Sequence, residues 1–163
     1  MVAVRVAVAA DLPALDERWP TPGDVHASHL AEQATGRATF LVAWDGDEPV
    51  GSAMVQWDGP VGPRARESYP EAVEVNHLQV REEHRGRGVG SAVIAAAEEL
   101  ARGRGRAQVA VGVAHDNDGA ARLYERLGYR RTGAMDTVEY DWVDEAGTVR
   151  HEVEHDELLV RDL

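Results

Sequence analysis

The chain has 163 residues, 44% hydrophobic and 28% charged, a length and balance suited to one globular domain with its own core. It has no cysteine, which excludes disulfides, thiolate metal sites and an acyl-cysteine intermediate. No apolar run approaches the ~18 residues of a membrane span, and a net charge of −12 argues against a nucleic-acid partner. Residues 2–9 alternate as a strand and lack the basic and long apolar regions of an export signal, so the expected compartment is the cytoplasm. Asp11 can cap a short helix with Pro13 in its first turn. A second helix is expected from Asp24 to Thr35, ended by Gly36. Thr39–Trp44 and Val50–Trp57 read as strands of a hairpin turned by Asp45-Gly46-Asp47-Glu48. Residues 58–70, rich in Gly, Pro and Arg, read as a loop.

Glu74–Val80 is expected as a strand leading into a glycine-rich turn. From Val89 to Arg102 a helical face is marked by Val89, Val93, Ala96, Ala97 and Leu100. Gln108–Ala114 is a valine-rich strand, 118–127 a helix closed by Gly128, and 129–142 and 149–161 two further strands. A hairpin-rich first half followed by strand–helix–strand units implies an α/β fold, a mixed sheet with helices on its faces.

Charge is unevenly distributed. The stretch from Arg81 to Arg106 holds six arginines and four acids, whereas the residues from Asp136 onward hold ten acids and two arginines. One segment could hold an anion, and its surroundings would favour cationic small molecules or peptides.

The densest signal is Val75-Asn76-His77-Leu78-Gln79-Val80-Arg81-Glu82-Glu83-His84-Arg85-Gly86-Arg87-Gly88-Val89-Gly90-Ser91. A strand ends, three glycines alternate with other residues, and a helix begins. Helix N-termini present unpaired N–H groups and partial positive charge, so they suit phosphate oxygens. A Walker A loop requires a lysine, and the chain has none. A dinucleotide fingerprint would need Gly or Ala where Ser91 stands and an acid about 20 residues on, which only Asp116 roughly supplies. A purely structural glycine turn is the remaining alternative.

A second block follows, Asn117-Asp118-Gly119-Ala120-Ala121-Arg122-Leu123-Tyr124-Glu125-Arg126-Leu127-Gly128-Tyr129. Together the two blocks resemble the GNAT acetyltransferase superfamily. Arg85, Gly88 and Gly90 match its Arg/Gln-x-x-Gly-x-Gly/Ala loop. Asn117, Ala120, Leu123, Tyr124, Leu127, Gly128 and Tyr129 match its later block. The close match covers about residues 74–133, and the N-terminal part agrees in element order only.

The resemblance implies about seven mostly antiparallel strands with a splayed central parallel pair, and direct acetyl transfer from acetyl-CoA to an amine. It implies that Leu78 and Val80 offer main-chain bonds to pantetheine and that Asn117 bonds it too. It also implies that Arg85, Gly86, Arg87, Gly88, Val89, Gly90 and Ser91 hold the pyrophosphate. An amide near Leu78 would polarise the thioester carbonyl as an oxyanion hole does. Tyr124 matches the tyrosine that protonates the departing thiolate. Glu74 is the first candidate for the general base and His77 the second, and strand alternation sets them on opposite faces. The acidic C-terminal strands and the segment 58–74 would border the acceptor site, which suits a cationic small molecule or peptide. A homodimer is compatible with the resemblance. The alternative reading is an acyl-CoA-binding module that senses without turnover.

His151-Glu152-Val153-Glu154-His155 matches a zinc-protease pattern that works only on a helix. Here the run alternates as a strand, which would set the two histidines roughly 13 Å apart. His26 and His29 could share a helical face without further ligands, so no metal is expected.

Overall fold

The computed structural model describes residues 1–163. The strands are β1 (Val2–Val6), β2 (Ala38–Asp45), β3 (Glu48–Gln56), β4 (Val73–Val80), β5 (Gln108–Ala114), β6 (Arg130–Val143) and β7 (Val149–Asp162). They form one sheet in the order β1-β2-β3-β4-β5-β7-β6. Every neighbouring pair is antiparallel except β4 and β5. The helices are α1 (Leu12–Arg18), α2 (Val25–Ala34), α3 (Pro63–Ser68), α4 (Val89–Gly103) and α5 (Asp118–Arg126).

Two departures from the sequence reading have local causes. The first strand stops at Val6, because the Asp11 carboxylate accepts from the Val8 amide at 2.8 Å and folds residues 9–11 into a 3-10 turn. The expected loop at 58–70 contains α3. Pro63 occupies its first turn, and the Asp136 carboxylate, from β6, accepts from the Arg64 and Ala65 amides at 2.9 Å each. That cap stands 72 residues away from Arg64, where no local pattern could reveal it.

One face of the sheet carries α4 and α5 over a core that includes Leu41, Val55, Val73, Val75, Val109, Val111 and Leu159. α4 buries Val89, Val93, Ile94, Ala97 and Ala101, while the expected Ala96 and Leu100 stay partly buried. The buried stripe thus lies slightly rotated from the one read off the sequence, and it includes Glu98. That carboxylate accepts from Tyr129 Oη at 3.0 Å and from Arg161 Nη1 at 2.8 and 2.9 Å, fastening α4 to the last strand. Glu98→Ala would leave the Tyr129 hydroxyl without its acceptor and Arg161 without its partner. Arg161 can still reach water, so the expected loss is about 2 kcal/mol, readable as a lower midpoint in urea unfolding with unchanged slope.

The opposite face carries α1 and α2 over Phe40, Val42 and Met54, and α3 beside Ala110, Leu158 and Val160. Between these two groups the polar residues of β4 come to the surface of the sheet. No helix is long and apolar enough to cross a membrane.

Candidate active site

Strands β4 and β5 pair at Val73, Glu74 and Val75 and then part. Beyond that point β5 stays with β7, and β4 stays with β3 to Val80. The edge of β4 from Asn76 to Val80 therefore has no partner on the β5 side. A cleft of about 780 Å³ opens there, walled by Leu78, Val80, Arg85, Gly86, Gly88, Val89, Gly90 and Ser91.

Helix α4 starts at the floor of this cleft. Gly86 and Gly88 take left-handed conformations, with φ of 73° and 81°, which glycine adopts at no steric cost. The amides from Gly86 to Ser91 donate to no acceptor of the protein. Gly51 fixes the height of the helix above the sheet, since a Cβ there would come within 2.8 Å of Val89 Cγ1. Arg85 donates from Nε to the Val80 carbonyl at 3.1 Å, and neither Arg85 nor Arg126 has a carboxylate partner. A bare helix N-terminus beside unpaired guanidinium groups fits the phosphates of a CoA ester. The exposed edge of β4 fits an extended amide chain, which can pair with it as a strand would.

Glu74 lies on the face carrying α1, α2 and α3. It is 7% exposed, and its Oε2 accepts from the Val61 amide at 3.1 Å, with Asn76 Nδ2 at 3.5 Å. Burial pushes its carboxyl above the ordinary value, and Asp156 and Asp136 reinforce the shift. Oε1 accepts no hydrogen bond and points over Gly112. A Cβ at that glycine would stand 3.7 Å from Glu74 Oε1 and 3.6 Å from Asp156 Oδ2. Because position 112 lacks a side chain, a hollow remains between the two carboxylates.

His77 does not keep to strand alternation. Ala53 lies across from two residues of β4, His77 and Leu78, and His77 has a φ of 53°. This bulge turns the ring toward α2, to 5.3 Å from the ring of His29. Glu74 and His77 thus share a face, contrary to the reading from period alone. His77 is exposed by surface area, yet the protein crowding its ring holds the imidazole below its usual pKa. His29 is driven to about 4, first by burial and then by His77 and His26.

Tyr124 is 8% exposed and meets Tyr129 edge-on at 5.7 Å. Burial raises its phenol to about 12. Its hydroxyl has no protein partner, and the side chain is not part of the cleft wall. Asn117 caps α5, its Oδ1 accepting from the Ala120 amide at 3.1 Å. Asn117 and Arg87 also stand outside the cleft wall.

The family model "Acetyltransferase (GNAT) family" matches residues 8–129. The chain belongs to that family. The family is one of acetyltransferases. A curated relative, N-acetyltransferase 8B of Rattus norvegicus, is 28% identical over 110 residues, or 68% of this chain. The matched segment spans about half of that relative's length, 46%. The ribosomal-protein-alanine N-acetyltransferase of Brucella melitensis superposes with a TM-score of 0.69 at 23% identity, covering 99% of both chains. A GNAT family acetyltransferase from Elizabethkingia anophelis with acetyl-CoA bound gives 0.64 at 17% identity, covering 99% of this chain and 98% of that one. At such identities these structures establish the GNAT fold: a seven-stranded, mostly antiparallel sheet with one parallel pair.

Sequence reasoning missed three groups near the GNAT cleft. Trp19, after α1, and Arg126, in the last turn of α5, line it. Asp156 stands opposite Glu74 across the Gly112 hollow. The zinc-like run lies within strand β7, where His151 bonds Asp141 at 2.8 Å and His155 meets Thr137 at 3.1 Å.

Proposed function

We propose that this protein is an N-acetyltransferase that moves the acetyl group of acetyl-CoA to the amine of a cationic small molecule or peptide. The observation that carries the reading is the cleft at the β4–β5 splay, floored by the free amides of Gly86 to Ser91. Acetyl-CoA supplies the thioester. Its phosphates lie against Gly86–Ser91 with Arg85 and Arg87, and its pantetheine runs along Leu78 and Val80 near Asn117.

Glu74 takes the proton that the amine must lose, directly or through water, and His77 is the second candidate for that task. The amine nitrogen forms the new C–N bond as the C–S bond breaks. Tyr124 protonates the departing thiolate, and burial that pushes its phenol up to about 12 keeps it protonated before that step. The phenol then recovers a proton from solvent. Asp136 is occupied in capping α3, so it plays no part in these transfers.

Thermal unfolding with acetyl-CoA, CoA, NAD and ATP in parallel tests the cofactor assignment. A ligand at a hundred times its dissociation constant adds about 2.7 kcal/mol. The expected result is stabilisation by acetyl-CoA and CoA, with none from NAD or ATP. No response to millimolar acetyl-CoA would overturn the proposal, and a response to NAD alone would favour a dinucleotide site. Thiol release on addition of amines then separates an enzyme from a sensing module. A thiol reagent sees no protein background, because the chain has no cysteine.

A further inference from the structure

The β6–β7 hairpin projects beyond the rest of the sheet, and its two faces differ in how their charges are matched. On one face His151 meets Asp141 at 2.8 Å and Glu139 at 3.7 Å. Nearer the base Glu157 holds Arg131 at 3.0 Å. Arg150, near the tip, belongs to the opposite face and is held by Asp144 at 2.9 Å. The other face has Glu152, Glu154 and Asp156 in alternate positions of β7. No arginine or histidine pairs with any of the three.

Two aromatic side chains orient this row. Tyr140 Oη donates to Glu154 Oε1 at 2.8 Å, and Trp142 Nε1 donates to Glu152 Oε1 at 3.3 Å. Each bond fixes one carboxylate oxygen and leaves the other free. Both rings remain about two-fifths exposed, Tyr140 at 41% and Trp142 at 42%. Like charges at alternate positions of one strand repel, and Arg150, the cation of β7 on that face, is held by Asp144. An aromatic surface beside free carboxylates is the chemistry that binds an ammonium group.

At its inner end the row meets a separate feature. Asp156 faces the hollow over Gly112, and across it stands Glu74, more than nine-tenths buried with Oε1 unpartnered. Successive acids of the row lie two strand residues apart, about 6.8 Å, a span that a short alkyl chain between two ammonium groups covers.

We propose that the acceptor is an extended polyamine with at least two ammonium groups. Its reacting amine enters the hollow over Gly112 between Glu74 and Asp156. Its second ammonium rests on Glu154 and Glu152 against Tyr140 and Trp142. This rests on the acetyl-transfer reading above and specifies the acceptor. Asp156 collects the incoming cation and positions it for Glu74.

The test compares n-butylamine, 1,4-diaminobutane and the triamine spermidine, followed by thiol release at saturating acetyl-CoA. The wild type is expected to favour the diamine and triamine over butylamine by at least tenfold in kcat/KM. The Glu152→Gln/Glu154→Gln variant is expected to erase that preference by raising KM for the diamine and triamine far more than for butylamine. Raising the salt to 0.5 M should shrink the preference in the wild type itself, a readout independent of how the variant folds. Equal turnover of all three amines by the wild type would overturn the polyamine assignment and leave acetyl transfer intact. An equal loss on all three in the folded variant would do the same. Stabilisation by acetyl-CoA with none of the three amines consumed would overturn the polyamine assignment, while the acetyl-transfer reading would be decided by a wider amine and peptide panel.

Discussion

Tyr124→Phe is expected to lower kcat by about 10²- to 10⁴-fold, the range over which a positioned proton donor contributes. Acetyl-CoA binding and stability should stay close to those of the wild type. The substitution removes one oxygen that bonds to nothing in the protein and keeps the ring against Tyr129 at its edge-on spacing. Loss of an unpartnered hydroxyl leaves no orphaned group behind, so the energetic cost of truncation is small. The loss therefore belongs in turnover, because the thiolate departs without a proton. Thiol release under saturating acetyl-CoA measures it, with the acetyl-CoA-induced shift in unfolding temperature as the control for binding. An unchanged kcat would remove Tyr124 from the mechanism and return it to the core, where its packing alone justifies it.

Local pattern is a good guide to this fold where the determining residues are neighbours in sequence. The turn at Asp45–Glu48 and the glycine loop before α4 carry their own backbone requirements, and Gly46 and Gly88 adopt the positive φ such turns use. The buried runs of β2, β3 and β5 are apolar enough to be read directly. Signals fail where the partner is distant. α3 depends on a carboxylate from β6, and the burial of Glu98 depends on Tyr129 and Arg161. The β4 bulge is the costliest omission. Period-two reasoning holds for Glu74 and Asn76, and then one extra residue at His77 resets the faces. That reset returns Leu78 and Val80 to the face of Val73 and Val75, beside α4.

The candidate site divides along the same line. The phosphate-cradle residues are contiguous in sequence and mostly stand together on one cleft wall. Trp19, Arg126 and Asp156 arrive from three different elements. Only the three-dimensional crossing of those elements makes them neighbours of the cleft and of Glu74. Asp156 follows the zinc-like run His151–His155, where a motif search directs attention to the histidines on the outward face. Asp156, on the opposite face, borders the hollow, and no short pattern distinguishes its carboxylate from those of a solvated acidic strand.

Glu74→Gln should separate activity from stability in opposite directions. Desolvation holds the Glu74 carboxyl above its ordinary 4.5, with Asp156 and Asp136 adding to the shift. Between the unfolded and the folded pKa the native state binds more protons than the unfolded chain. The contribution of Glu74 to stability is thus fully present below the unfolded value and is lost as pH rises through the folded one. Asp156, raised first by burial and then by Glu154 and Asp136, adds a loss of the same sign. Asp11 is held low by Arg5, and Asp144 by the Thr148 amide and then Arg150, so they run the other way and lose stabilisation as pH falls. The carboxamide introduced by the substitution can never ionise, and its oxygen can still accept from the Val61 amide. The variant should therefore unfold at the same or a higher temperature than the wild type at pH 7 to 8, with a flatter fall in stability across the mildly acidic range. Its kcat/KM should nevertheless drop by about 10²- to 10⁴-fold, because the base that takes the amine's proton is gone. The acid limb of the wild-type profile, set by the raised carboxyl, should disappear with it. Retention of that limb in Glu74→Gln with little loss of rate would transfer the base to His77, whose imidazole, held below its usual pKa by burial, shares the same face. Loss of the limb together with the rate would assign it to Glu74, and the hollow over Gly112 would then be the place where the amine gives up its proton.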